Sequence, residues 1–209
     1  MSPRKSPPPH SLRLARFALA LGLVCAPGCG LLRGPTTERT NFYVLTAMSQ
    51  PDEAATGRRL VLGLGPLILP PYLNRPEMVT RVEANQLSFD EFNRWGEPLK
   101  DNFLGVLATD LGTLVGIERI IFYPWYANTP MNYAVNVAVL RFEKQPDGTA
   151  VLGARWAIGD GRGNVLVNRD SHFSRPAGSP AQTAAALSDL VGDLARDIAA
   201  ALRQQDAAR

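Results

Sequence analysis

Apolar and polar positions along this chain fall into two periodicities. Between Pro98 and Leu114, the residues Leu99, Phe103, Val106, Leu107, Leu111 and Leu114 recur at three- and four-residue steps. That spacing predicts a helix over 98–115 with one apolar face that needs a sheet to cover it. Pro98 stands in its first turn, where the amide that proline lacks would have had no partner anyway. Asp101 lies near the positive end of the helix dipole. A second helical run carries Leu187, Leu190, Val191, Leu194, Ile198 and Leu202 on one face, with Arg196 and Arg203 outside it or near its end. Ser179-Pro180-Ala181-Gln182 opens that run as a capping box with proline at the first helical position.

The other apolar stretches read as strands. Asn41–Leu45 opens the folded region, and a polar loop spans Gln50–Arg59. Leu60–Leu69 is apolar enough for a central strand; Gly63 and Gly65 within it suggest a bulge or a close backbone approach. A phosphate loop is excluded there because no helix follows. Val79–Glu83 and Leu87–Phe89 read as short strands after the Pro70–Pro76 corner, and Glu118–Tyr123 as another after the first helix. Tyr133, Val135, Val137 and Val139 then alternate along Tyr133–Glu143, and Leu152, Ala154, Trp156 and Ile158 along the next strand, before Val165–Phe173 returns. Pro146-Asp147-Gly148 and Gly159–Asn164 supply the turns between them. These elements predict one α/β domain, a mixed sheet of about five to seven strands with antiparallel hairpins and two main helices.

The first 28 residues differ in kind. A basic, proline-rich segment ends at Arg16, and Phe17–Val24 is a short apolar core. A bilayer span needs about 20 apolar residues, so this is a secretory signal rather than a membrane helix. Two cysteines close it. Gly28 gives Cys29 the small preceding residue that lipoprotein processing needs, whereas Val24 precedes Cys25. Residues 1–28 therefore read as signal peptide, and 29–40 as a lipidated Cys29 and its tether; the plainer alternative is a secreted chain with a Cys25–Cys29 pair. The domain then runs over 41–204, with 205–209 as a tail. Gly30 and Leu31 lack the aspartate that retains many lipoproteins at the inner membrane, which points to the outer one.

Charge changes the picture only once this leader is set aside. The formal net charge is +3, but Arg4, Lys5, Arg13 and Arg16 all lie in the leader, which has no acid. Without those four, the 22 basic residues fall one short of the 19 acidic ones. A nearly neutral domain argues against nucleic acid as partner. Chemistry is sparse too. Beyond the leader stand one histidine, His172, and one cysteine, so no His/Cys metal cluster can form. Asp90 and Glu91 are neighbours on a loop and do not converge on a substrate. Gly159, Gly161 and Gly163 precede a strand rather than the helix a dinucleotide fingerprint requires. No enzyme, metal or cofactor is expected. Proline-rich turns instead hold an unusual share of aromatic and arginine side chains. Tyr72, Arg75, Trp95, Trp125 and Tyr126 are the candidates for a partner interface, with Trp95 equally placed to plug the core.

Several motifs together resemble the PqiC family, the auxiliary lipoproteins of MCE-type transport systems. Leu69, Pro70, Tyr72, Leu73, Arg75 and Pro76 match its corner; Val79, Thr80 and Arg81 match its strand; Arg94, Trp95, Glu97, Pro98 and Leu99 match its helix start. Phe42, Tyr43 and Leu45 fit its opening strand, and the paired hairpins after Tyr133 fit its later half. The resemblance implies a three-layer domain related to the small domain at the start of TolB. It also implies an outer-membrane-anchored periplasmic lipoprotein that helps move lipids between the two membranes and supports membrane integrity. Its partners would be an MCE-domain protein, an inner-membrane transporter component and other copies of itself. The other reading is a periplasmic lipoprotein that itself binds a small apolar ligand or the cell wall. Mass spectrometry of the mature N-terminus is expected to find acyl chains on Cys29; a free terminus at any other residue would remove the anchor.

Overall fold

The computed structural model describes residues 39–47, 60–126 and 128–208. The signal segment, Cys29, nearly all of the tether and the polar loop Gln50–Arg59 lie outside them. Eight strands form one sheet: β1 (Asn41–Tyr43), β2 (Leu60–Ile68), β3 (Glu77–Glu83), β4 (Gln86–Trp95), β5 (Ile117–Phe122), β6 (Tyr133–Lys144), β7 (Thr149–Asp160) and β8 (Val165–Pro176). The helices are α1 (Leu99–Val115) and α2 (Pro180–Ala207). The mixed α/β fold expected from the sequence is thus present, with one strand more than the upper expectation. The short strand expected at Leu87–Phe89 extends to Trp95, through the aromatic segment before α1. Helix α2 continues to Ala207, so most of the expected tail is helical.

The sheet is organised on β6. Along one side β6 pairs in parallel with β2, from Leu62↔Tyr133 to Ile68↔Ala138, and then with β3 at Thr80↔Lys144. Along its other side runs the antiparallel β6–β7–β8 meander. Beyond β2 lies parallel β5, and beyond β3 lie β4 and then parallel β1. Alternation places Tyr133, Val135, Val137 and Val139 in the core. A register shift at Val139/Arg141 then leaves both Leu140 and Arg141 exposed and returns Phe142 to the interior.

Both helices pack on the sheet and on each other. They therefore form a single layer, because two helices can touch only from the same side of the sheet. The three layers that the resemblance implied are here two, one sheet and one layer of helices. Helix α1 buries Leu99, Phe103, Val106, Leu107, Leu111 and Leu114, the face that the spacing predicts. Its end is abrupt: Gly116 takes a left-handed conformation (φ 68°, ψ 45°) and donates its N–H to Gly112, so β5 starts at once. Helix α2 starts from the expected capping box, Ser179 and Gln182 each bonding the other's backbone. Arg203 reaches back to the Leu114 carbonyl at 2.8 Å and caps the partner helix. Trp156 donates to Ser171 Oγ at 2.8 Å, and Ser171 bonds Asp197 of α2, which fixes the helix to the hairpin.

Leu107 and Leu111 are fully buried between helix and sheet. Truncating either to alanine is expected to cost about 2–5 kcal/mol, read as a lower melting temperature. Unchanged melts for both would mean that another face of α1 carries the packing.

Candidate functional site

Two regions hold the surface-prone aromatic and arginine residues. The first is the corner between β2 and β3. Proline restricts the backbone here, and Pro71–Leu73 winds into a single 3-10 turn, with Leu73 N–H donating to Pro70 at 2.9 Å. Leu73 is buried as a peg, and Tyr72 leans toward β6. Its hydroxyl donates to Glu143 Oε2 at 2.5 Å. The Glu143 carboxylate is fully buried and also accepts from Arg81 Nε at 2.9 Å and Arg141 Nε at 3.2 Å. The Phe142 amide and the Gln145 side chain complete its shell.

These contacts set the protonation of the group. Burial pushes Glu143 upward, but hydrogen bonds from Tyr72, Arg81 and Arg141 outweigh it and hold the carboxyl below its ordinary range. Burial, and then the bond to Glu143, push the Tyr72 hydroxyl well above the usual phenol range. The cluster is an anchor: the Tyr72 hydroxyl and both Glu143 oxygens are committed within the fold. Sequence reading singled out Tyr72 but missed Glu143 and Arg141; the signal was a charged residue closing an alternating strand, at the position where the alternation slips.

On the outer side of the corner, Arg75 lies 3.8 Å above the Phe89 ring and bonds Glu77 at 2.9 Å. Arg94 meets the same carboxylate at 3.1 Å. The hydrogen bond from Arg75 is the main cause holding Glu77 below the usual carboxylate range. Trp95 is 5% exposed, and its backbone N–H donates to Pro76 at 2.6 Å. Core packing is therefore its place in the fold. A groove of about 380 Å³ remains beside it, lined by Arg75, Pro76, Trp95, Pro98 and Leu99 among others.

The second region is the loop that leads from β5 into β6. Trp125 is half-buried because β2 has glycines beneath it. A Cβ on Gly63 would stand 2.6 Å from Met131 Sδ and 3.2 Å from Trp125 Cη2, and one on Gly65 would stand 2.8 Å from Tyr123 Cβ. The two glycines are thus the floor on which the loop lies, the close approach that the sequence suggested. Tyr123 and Trp125 meet edge-on, with ring centroids 5.3 Å apart. Tyr126, in contrast, is 89% exposed. The structure therefore gathers Tyr72, Arg75 and Trp95 at the corner and sets Trp125 and Tyr126 apart from them. The loop meets β6 at its start and Tyr72 meets it near its end, roughly 30 Å away at the rise of a strand. His172 is exposed on β8. Among the described residues no group of three or more His, Cys, Asp or Glu could hold a metal ion.

Residues 43–199 match the profile of a family described as the ABC-type transport auxiliary lipoprotein component. A crystal structure from Xanthomonas campestris, of the family designated DUF330, aligns with a TM-score of 0.69 at 17% identity; the alignment covers 81% of this chain and all of that one. A crystal structure of an uncharacterized protein aligns at 0.65 and 18% identity, covering 79% of this chain and 99% of that one. Both likenesses concern the fold. No curated protein sequence matches the chain.

Replacing Glu143 by glutamine keeps its size but leaves Arg81 and Arg141 without their counter-charge. Because both arginines reach solvent, the expected cost is near the lower end for a broken buried pair, about 3 kcal/mol at neutral pH. A carboxyl held below its unfolded value stabilises fully above the ordinary range and loses that contribution as pH falls through the folded value. The gap in melting temperature between wild type and variant should hence narrow below about pH 4. A gap unchanged at lower pH would show that the charge contributes nothing.

Proposed function

The chain belongs to the PqiC-like family of ABC-type transport auxiliary lipoprotein components, and from that membership we propose that it serves a lipid transport system of the MCE type. In this reading Cys29 carries the acyl chains and holds the domain at the periplasmic face of the outer membrane. The domain docks one end of the transporter there, with an MCE-domain protein and an inner-membrane component as partners. Membrane integrity would then depend on it indirectly, through lipid traffic. The observation that carries the proposal is the family match, which spans nearly the whole described domain. The anatomy of the fold agrees with it: the conspicuous polar cluster, around Glu143, is spent on holding the corner, and the family is one of transport accessories rather than of enzymes.

Docking needs a contact surface, and the 122–126 segment supplies suitable chemistry. Phe122, Tyr123 and Tyr126 are exposed, Trp125 holds the loop onto β2, and Pro124 and Pro130 restrict it. A stiff loop loses little entropy on docking. With a nearly neutral domain, apolar anchors rather than long-range attraction would provide the affinity.

Tyr126→Ala should weaken binding to the purified MCE-domain partner and leave the melt unchanged. Adding Trp125→Ala should bring the loss to about 2 kcal/mol or more, roughly 30-fold in Kd. Undiminished binding of both variants, measured by light scattering or pull-down, would remove the loop from the interface. Adjacent genes for an MCE-domain protein and a permease would support the same reading independently.

A further inference from the structure

A second apolar surface lies at the other margin of the sheet. Strand β1 is its terminal strand there, and Phe42 pairs with Arg94 of β4 in parallel register. The pairing of Phe42 with Arg94 puts Phe42, Val44 and Arg94 on a common face, and Phe92 lies exposed two residues before Arg94, where β4 bulges between Asp90 and Arg94. Tyr43 and Trp95, one position along, point into the core. Gly96 extends that face: a Cβ there would touch Val44 Cγ1 at 3.4 Å and Phe42 Cβ at 3.8 Å. Phe42 is 66% exposed, Val44 49% and Phe92 40%. The charge on this face is balanced, since Arg94 is paired with Glu77 at 3.1 Å. The patch is therefore apolar and aromatic without a charge pattern that would select an acidic or basic partner.

Its position along the chain identifies the occupant. We propose that this β1–β4 edge rests in the headgroup region of the bilayer to which the chain is anchored. The inference rests on the lipoprotein reading above. Cys29 precedes β1 by about a dozen residues, which span at most about 40 Å when extended, so the edge is the part of the folded domain tied closest to the membrane. Phenylalanine and valine side chains in that position leave water when they meet the acyl boundary, while Arg39 and Arg94 remain among the headgroups. The acyl chains already secure attachment; the edge adds orientation. It turns the start of β6, with Tyr126, away from the surface and toward the periplasm, where a transporter partner would meet it.

Spin labels test this on the lipidated chain. Acylated Cys29 leaves no other thiol after removal of residues 1–28, so Phe42→Cys, Val44→Cys and Phe92→Cys each accept one label. Asn168→Cys and Ser174→Cys on β8 serve as references, since both positions are exposed. The protein is reconstituted in phosphatidylethanolamine–phosphatidylglycerol vesicles, and label accessibility to oxygen is compared with that to a water-soluble nickel chelate. The ratio is expected to be several-fold higher at two or more of the three edge positions than at the references. Reference-like ratios at the edge, in a chain that floats with the vesicles, would overturn the inference and leave the anchor intact. Protection from both reagents that develops only on adding the transporter partner would also overturn it, by making the edge a protein contact. A chain that fails to float removes the anchor, and this inference with it.

Discussion

A carboxylate taken out of water has to be met by donors, or the cost of stripping its hydration falls on the fold. Glu143 imposes that requirement here. Its oxygens are satisfied by Tyr72 from the proline corner, Arg81 from β3 and Arg141 from its own strand. Those groups come from separate parts of the chain, and only one arrangement of corner, hairpin and central strand brings them together. The slip in register at Val139/Arg141 belongs to the same arrangement: it returns Phe142 to the core and leaves Glu143 beside it, facing Tyr72. The corner is rigid because its prolines limit the backbone and because its tyrosine is held by a buried charge.

With that corner fixed, the β3–β4 hairpin and β1 continue the sheet past the end of β2. The consequence is asymmetric. On one side both helices cover the central strands, and their leucines and alanines form one core with Trp156, Phe142 and Tyr133. On the other side β2 has little side chain to offer at Gly63 and Gly65, and Tyr123, Trp125 and Met131 lie over it. The aromatic residues of that loop are consequently divided between packing and display: Trp125 lies on the strand and Tyr126 faces solvent.

Such a division suits an accessory protein. The fold uses much of its polar chemistry to join its own elements, among them Arg175 with Asp193 and Trp156 with Ser171, and leaves apolar side chains exposed at two separated places. A rigid scaffold that presents aromatic side chains at both places can hold two things at a set distance. For a family of transport auxiliary lipoproteins, a membrane and a partner are the two that we propose.

Much of this was legible along the chain. The 98–115 helix, its buried face, the capping box of α2 and the β6–β8 meander follow from periodicity and turn residues, because each is decided within a few residues by backbone geometry and burial. The proline corner and the glycines of β2 could likewise be marked from sequence, as places where the backbone must turn or approach closely. What occupies those places could not. Trp95 could equally have plugged the core or met a partner, and its 5% exposure is set by Pro76 and by the strand that β4 becomes, both distant from it in sequence or in kind. For Glu143 the slip in alternation just before it was the one local sign, and it does not by itself mean burial, since a glutamate at the end of a strand is ordinarily solvated. Only when the corner, β3 and the register slip converge does water leave it. Nor could periodicity decide on which side of the sheet each helix lies: an apolar face records that a helix is covered, and only the closed tertiary structure determines by what.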